Sequence, residues 1–208
     1  MYTDFGSVPQ HYAARTREKM QEVLMNPHSS APAIFYYMIR GGHNQKNITV
    51  WEPGKVGGEY IKTYGHYHVG DLDENYWVLL GTGVAVLQKL AVNDRGQTIP
   101  DRVAEFRALC VKSGDRIYMP PGYGHLLTNT GDTFLVTADD SPVNFKNQNE
   151  AGSPGHADYA TVRQTRGFAF YVVEHEGKPA LVKNPRFHEV TKLETGGLPT
   201  IAPPQALT

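Results

Sequence analysis

The chain has 208 residues, 40% of them hydrophobic, with 20 Lys and Arg set against 21 Asp and Glu and a formal net charge of -1. That length suits one well-packed core with extensions, and a balanced charge without a Lys/Arg cluster offers nothing to capture nucleic acid or an anionic membrane surface. No apolar run reaches the length of a membrane span and the first residues lack the cationic start and apolar run of a secretory signal, so the chain reads as a soluble, cytoplasmic protein.

The first element is a helix over Pro9 to Leu24 (PQHYAARTREKMQEVL), read from its helix-forming residues and mixed charges and ended by Asn26-Pro27. Ala31 to Arg40 (APAIFYYMIR) is short, apolar and aromatic, as a buried strand should be, and Gly41-Gly42 closes it. Asn47 to Trp51 resumes an extended pattern. Short β-like runs then recur between turn signals: Glu59 to His68, Asn75 to Leu80, Val84 to Leu90, Ala104 to Val111, Arg116 to Met119, His125 to Asn129 and Phe134 to Ala138. Gly81-Thr82-Gly83 is expected as a tight hairpin turn. The single cysteine, Cys110, cannot form an intramolecular disulfide and sits in the mostly apolar run Phe106 to Val111, so it is expected as a buried thiol in a reducing compartment. Ser141 to Pro154 is polar and reads as a long surface loop. Phe168 to Glu174 and Pro179 to Lys183 suit a hairpin across Glu176-Gly177, and from about Thr195 the Gly- and Pro-containing tail reads as irregular. Many short strands at close spacing indicate an all-β sandwich or barrel rather than an alternating helix-strand fold.

The chemistry is concentrated in Gly65-His66-Tyr67-His68, in Glu74 and in His125. Histidines one residue apart face the same side of a strand, because strand side chains alternate with period 2. A third histidine and a carboxylate arriving from other strands complete three nitrogen donors and one oxygen donor, a set that suits a divalent transition metal with positions left open for chemistry. His125 closes the pattern Gly114-x5-Pro120-x-Gly122-x2-His125-x3-Asn129, which chance would produce at a given position roughly once in a million or less often. Pro120-Pro121-Gly122 reads as the turn that aims His125 inward. The neighbouring Asp71 and Asp73 read as solvated loop carboxylates. His11, His28, His43, His175 and His188 have no partners at ligand spacing and read as surface or structural residues.

The Gly114 to Asn129 pattern is the second signature of the cupin superfamily. His66-Tyr67-His68, Glu74 and then, after six intervening residues, Gly81 resemble the first, with a five-residue gap between His68 and Glu74 and with Tyr60 where the signature has a glycine. Over roughly Ile34 to Phe187 the chain resembles the cupin-type, or archaeal-type, phosphoglucose isomerases, in GKVGGEYIKTYGHYH, ENYWVLLGTG, MPPGYGHLLTNTGD, GHADY and VEHEGKPALVKNPRF. The resemblance implies a cupin double-stranded β-helix, a jelly-roll barrel, over about 33–190, after an N-terminal helical extension over 1–32 and before an irregular tail over 191–208. It also implies a cytoplasmic homodimer that interconverts glucose 6-phosphate and fructose 6-phosphate, in glycolysis or gluconeogenesis, with one divalent ion per subunit: Fe(II), with Mn, Ni or Zn as other ions the family uses. His66, His68, Glu74 and His125 fall at the family's metal-ligand positions. Thr49, Thr63 and Gly65 match contacts to the substrate phosphate or sugar, and Tyr76 a tyrosine facing the sugar. His156 and Tyr159 match its Gly-His-Asp-Tyr segment, although this chain carries one more residue, Ala157, within it.

Aldose-ketose isomerisation moves a hydrogen between C1 and C2. A divalent ion stabilises the charge developing on an enediolate, and a tuned carboxylate, for which Glu74 is the candidate, carries the proton. A direct hydride shift is the competing route. Two other readings stay open: a cupin dioxygenase or oxalate-degrading enzyme that activates oxygen at the same ligands, and a barrel that binds a sugar phosphate without catalysis. Phe35, Tyr36, Tyr37, Trp51 and Trp77 are expected to pack the core or a dimer surface, with one of Tyr36 or Tyr37 facing the sugar.

Overall fold

The computed structural model describes residues 12–41, 46–142 and 157–203. At its start the long helix is replaced. Strand β1 (Tyr12–Thr16) pairs antiparallel with β2 (Ile34–Ile39), and only α1 (Arg17–Met20) is helical. The residues have fair helix propensity, but β2 would otherwise present an unpaired edge, and the ladder together with Tyr12 stacked on Tyr37 at 6.0 Å outweighs a local preference. Thr16 makes the corner: its Oγ1 accepts from the Lys19 N–H at 3.4 Å, capping α1, while the Arg17 N–H donates to the Ala33 carbonyl at 2.9 Å.

The chain continues through β3 (Asn47–Trp51), β4 (Lys55–Val56), β5 (Glu59–Tyr60), β6 (Tyr67–His68), β7 (Glu74–Leu80), β8 (Thr82–Val92), β9 (Thr98–Lys112), β10 (Arg116–Met119), β11 (Gly124–Asn129) and β12 (Leu135–Asp139). After 157 come β13 (Ala157–Asp158), α2 (Ala160–Gln164), β14 (Phe170–His175), β15 (Lys178–Lys183), β16 (Glu189–Glu194) and β17 (Thr200–Ile201). One sheet runs β1-β2-β3-β12-β7-β10 and a second β11-β8-β9-β16; a third, β17-β15-β14-β5-β4, flanks them, and β6 pairs with β13. Inward residues from all three main sheets join one buried cluster that includes Phe35, Trp51, Val78, Leu87, Phe106, Leu127 and Phe170. The all-β architecture expected of a cupin barrel is borne out.

Three local expectations are corrected. Gly81-Thr82-Gly83 does not close a hairpin, since β7 and β8 belong to different sheets; it carries the chain from the first sheet to the second. Gly81 has φ +88° and an added Cβ would lie 2.6 Å from the Phe134 carbonyl oxygen, so the crossing admits no side chain there. Cys110 is exposed rather than buried: the inward rhythm of Phe106 and Ala108 on β9 breaks after Ala108, and the next inward residue is Val111. The C-terminal tail is not wholly irregular, because Thr200–Ile201 runs parallel to β15 and β16 runs parallel to β9. The hairpin across Glu176-Gly177 forms as expected, with φ of +52° and +75° at those residues.

A buried ion pair ties the N-terminal segment to the barrel. Lys62 Nζ lies 2.5 Å from Glu59 Oε1, with the two side chains 3% and 0% exposed. The ammonium also donates to the Val23 carbonyl at 2.7 Å, and Glu59 Oε2 accepts from the Met25 N–H at 2.8 Å. Lys62 opens the segment that leads to the histidines.

Candidate metal centre

The expected long strand Glu59 to His68 is broken between Tyr60 and Tyr67, and the bend at Gly65 within that break shapes the site. Gly65 has φ +79°, and an added Cβ would crowd Phe168 at 3.1 Å and Leu126 at 3.3 Å. Beyond it the backbone docks on β11. The His66 N–H donates to the His125 carbonyl at 3.2 Å, and the His125 N–H to the His66 carbonyl at 3.0 Å. The two imidazoles are therefore set side by side by main-chain bonds, 4.6 Å between ring centroids. His68, two residues on, turns to the same side at 4.7 Å from His66 and 5.3 Å from His125. Tyr67 points away: its hydroxyl accepts from Gln88 Nε2 at 2.7 Å and its ring packs 5.9 Å from Phe168.

Glu74 is the first residue of β7, opposite Met119 on β10 and 2% exposed. Its Oε2 lies 3.2 Å from His68 Nε2 and 3.3 Å from His125 Nε2, while the donor nitrogens of His66, His68 and His125 all lie within 4.8 Å of one another. The second contact is close but not aligned as a hydrogen bond, and both ring nitrogens of His125, with Nδ1 of His68, are buried without a hydrogen-bond partner among the described residues. Orphaned buried nitrogens are costly unless something accepts their lone pairs.

The electrostatics suit such an acceptor. Burial pulls the His66 imidazole well below its ordinary pKa, and His125 and His68 beside it add to the shift. Burial likewise brings His125 down to about 4, against the opposing pull of Glu74. For Glu74, burial pushes the carboxyl up, but His125, His68 and His66 outweigh it and hold the group well below the usual carboxylate range. Burial thus favours the neutral, metal-binding form of His66 and His125 beside an ionised Glu74. Three nitrogen donors and one charged oxygen fit a divalent transition metal with open positions.

The wall beside the ligands is polar by alternation. On β3, Asn47 and Thr49 face inward; on β12, Thr137 and Asp139; on β7, Glu74 and Tyr76. Asn47, Asp139 and Tyr76 lie on one rung, and Met38, Thr49, Thr137 and Val78 on the next. Tyr76 stands 5.6 Å from the His125 ring, its hydroxyl pKa raised well above 10 first by burial and then by the charges of Glu74 and Asp139. Burial and Glu74 push Asp139 up to about 7, although Asn47 Nδ2 at 2.6 Å and Ser141 Oγ at 2.7 Å donate to it.

Of the residues singled out in the sequence, His66, His68, Glu74, His125, Gly65, Tyr76 and Tyr159 come together. Tyr159 stands 5.5 Å from His66. Thr49 is on the inner face of β3, and Thr63 lies just before Gly65 with its Oγ1 accepting from the Leu127 N–H at 3.1 Å. His156 lies outside the described residues, as do His11 and His43. His28, His175 and His188 are exposed and take no part. Of the tyrosine pair, Tyr36 is on the site side, its hydroxyl accepting from the Tyr64 N–H at 3.3 Å, whereas Tyr37 stacks on Tyr12. Asp139 escaped the sequence reading. Its signal was the alternation Leu135, Thr137, Asp139, which places two polar residues in an inward row.

A family model described as Glucose-6-phosphate isomerase (GPI) matches residues 36–187. The glucose-6-phosphate isomerase of Thermococcus litoralis is 34% identical over 140 residues, 67% of this chain and 62% of that protein. The same-named protein of Thermococcus kodakarensis is 32% identical over 142 residues, 68% of this chain and 63% of that protein. The chain thus spans about 62% of the length of the relatives it matches. Among solved structures, the Drosophila melanogaster CENP-C cupin domain aligns with 53% of this chain and 70% of its own at 13% identity and a TM-score of 0.36, an overlap too slight to bear on chemistry.

Proposed function

The chain belongs to the glucose-6-phosphate isomerase family, and from that premise we propose that it interconverts glucose 6-phosphate and fructose 6-phosphate at a divalent metal held by His66, His68, Glu74 and His125. The observation that carries the reading is the convergence of three imidazoles and one carboxylate, with Glu74 Oε2 against His68 and His125, inside the matched stretch. A bound divalent ion would supply Lewis-acid stabilisation of the negative charge that develops on O1 and O2 as the hydrogen moves.

The chain's own groups do the rest. Glu74 is the proton carrier: a carboxylate at the ligand cluster takes the C2 proton and returns it at C1. Its depressed pKa makes it a weak base as it stands, and to carry the proton its carboxylate would have to be free of any ion the site holds. Tyr76, held protonated by burial, donates a hydrogen bond to a sugar oxygen beside His125. Tyr159 covers His66 and excludes water. Thr49, Thr63 and Gly65, with His156, supply hydroxyl, N–H and imidazole donors toward the substrate. The same reading takes Fe(II) as the ion, with Mn, Ni or Zn as substitutes, and a cytoplasmic homodimer as the working form; each rests on the family resemblance.

The test is a coupled assay with fructose 6-phosphate, run on chelated protein and on protein reloaded with Fe(II) or Mn(II), with mannose 6-phosphate alongside. Isomerisation should vanish with chelator and return with metal. Metal-loaded protein that shows no chelator-sensitive isomerisation overturns the reading. In deuterated water, label entering C2 of the product supports transfer through Glu74.

A further inference from the structure

Arg15 reaches the site from β1, upstream of the family match, which begins at residue 36. Its Nε donates to the Tyr36 hydroxyl at 3.0 Å, and its guanidinium carbon lies 5.8 Å from the Tyr36 ring centroid, 6.0 Å from that of Tyr64 and 5.6 Å from that of Tyr159. The rings form a continuous wall, Tyr64 meeting Tyr159 edge-on at 5.4 Å and Tyr159 lying 5.5 Å from His66. A guanidinium has five N–H donors, and here a single one has a partner among the described residues. No carboxylate pairs with Arg15 among those residues. The carboxylate at this wall, Glu22, is taken by Lys19 and by the Tyr64 hydroxyl.

A half-buried cation that rests on aromatic faces with its fork open has no anion among the described residues. We propose that Arg15 is a phosphate-binding residue, its fork gripping two oxygens of the substrate phosphate at the tyrosine wall beside His66. The span suits it. With bonds of about 1.5 Å, an extended six-carbon sugar phosphate places phosphorus roughly 8 Å from C1. A single ring separates Arg15 from His66, Tyr159 lying 5.5 Å from the imidazole and 5.6 Å from the guanidinium carbon, so the gap is no longer than those two steps together. Arg15 would then select sugars phosphorylated at the far end over unphosphorylated ones.

The inference rests on the isomerase reading for its substrate, but its test does not depend on activity alone. Inorganic phosphate is titrated calorimetrically into wild type, Arg15→Gln and Arg15→Lys, and KM and kcat for fructose 6-phosphate are measured on the metal-loaded proteins. Losing a charge-assisted pair of bonds should weaken phosphate binding and raise KM about ten- to a hundredfold, with kcat within about threefold of wild type. The lysine variant, which keeps the charge but not the fork, should fall between. Equal phosphate affinity in wild type and Arg15→Gln, or a loss confined to kcat, overturns the proposal. Should Arg15→Gln fail to fold, an Arg15→Lys protein with wild-type phosphate affinity and KM overturns it instead. If wild type isomerises no sugar phosphate, the isomerase reading falls, and the phosphate titration alone decides for or against Arg15.

Discussion

Acid should weaken the metal-free protein through His125. Its ordinary pKa is 6.5, and burial lowers it to about 4 in the fold. Between those values the unfolded chain binds a proton that the folded chain refuses, so stability falls as pH drops through 6.5. One pKa unit is worth about 1.4 kcal/mol, and lowering the pH from 7 to 5 crosses about one and a half units of that window, which comes to about 2 kcal/mol from His125. His66, shifted the same way, adds to it. Asp139 works in the opposite sense. Its carboxyl is raised from 3.8 to about 7, so the fold binds a proton that the unfolded chain releases and gains stability over the same range. The wild-type curve alone is therefore uninformative, and the measurement is a difference. Urea unfolding of wild type and His125→Gln, both with chelator, should show the gap between them move by about 2 kcal/mol in favour of the variant from pH 7 to pH 5. In melting temperature that is roughly 4–8 °C for a chain of this size. A gap unchanged to within about 0.5 kcal/mol at both pH values would refute the claim that the fold holds His125 neutral.

Breaking the ion pair between Lys62 and Glu59 with Lys62→Met should cost about 3–5 kcal/mol, because the Glu59 carboxylate would stay buried without its cation. Adding Glu59→Gln should recover part of that loss, and a single variant within about 1 kcal/mol of wild type in urea would count against a fully desolvated pair. Gly65→Ala should destabilise by about 1–3 kcal/mol, since it forces a Cβ into a left-handed conformation against Phe168 and Leu126. It should also weaken metal binding, read by titration with Co(II) and its visible absorption; unchanged affinity would mean that the bend does not set the position of His66.

Those residues also show what the chain reveals without coordinates. The histidines and Glu74 were legible because coordination chemistry demands a few residue types at fixed spacing, and because a glycine and proline pattern around His125 has little other reason to recur. Strand existence was legible from alternation. What escaped were pairings decided at long range. The N-terminal run is locally a fair helix, and only the waiting edge of β2, some twenty residues later, turns Tyr12–Thr16 into a strand. Arg15 depends on that strand and on Tyr36, 21 residues away, and Asp139 on Asn47, 92 residues away. Cys110 sits in an apolar run whose inward rhythm breaks three residues before the end of its buried stretch, a slip with no local marker.

The reciprocal backbone bonds between His66 and His125 have a mechanical consequence. His66 comes from the segment between β5 and β6, His125 from the second sheet and Glu74 from the first, so an ion shared among them would be a reversible crosslink over a long closed loop of chain. Such a tie would act most strongly on the separation of those segments, so the ion's residence time and the lifetime of the fold would be linked quantities.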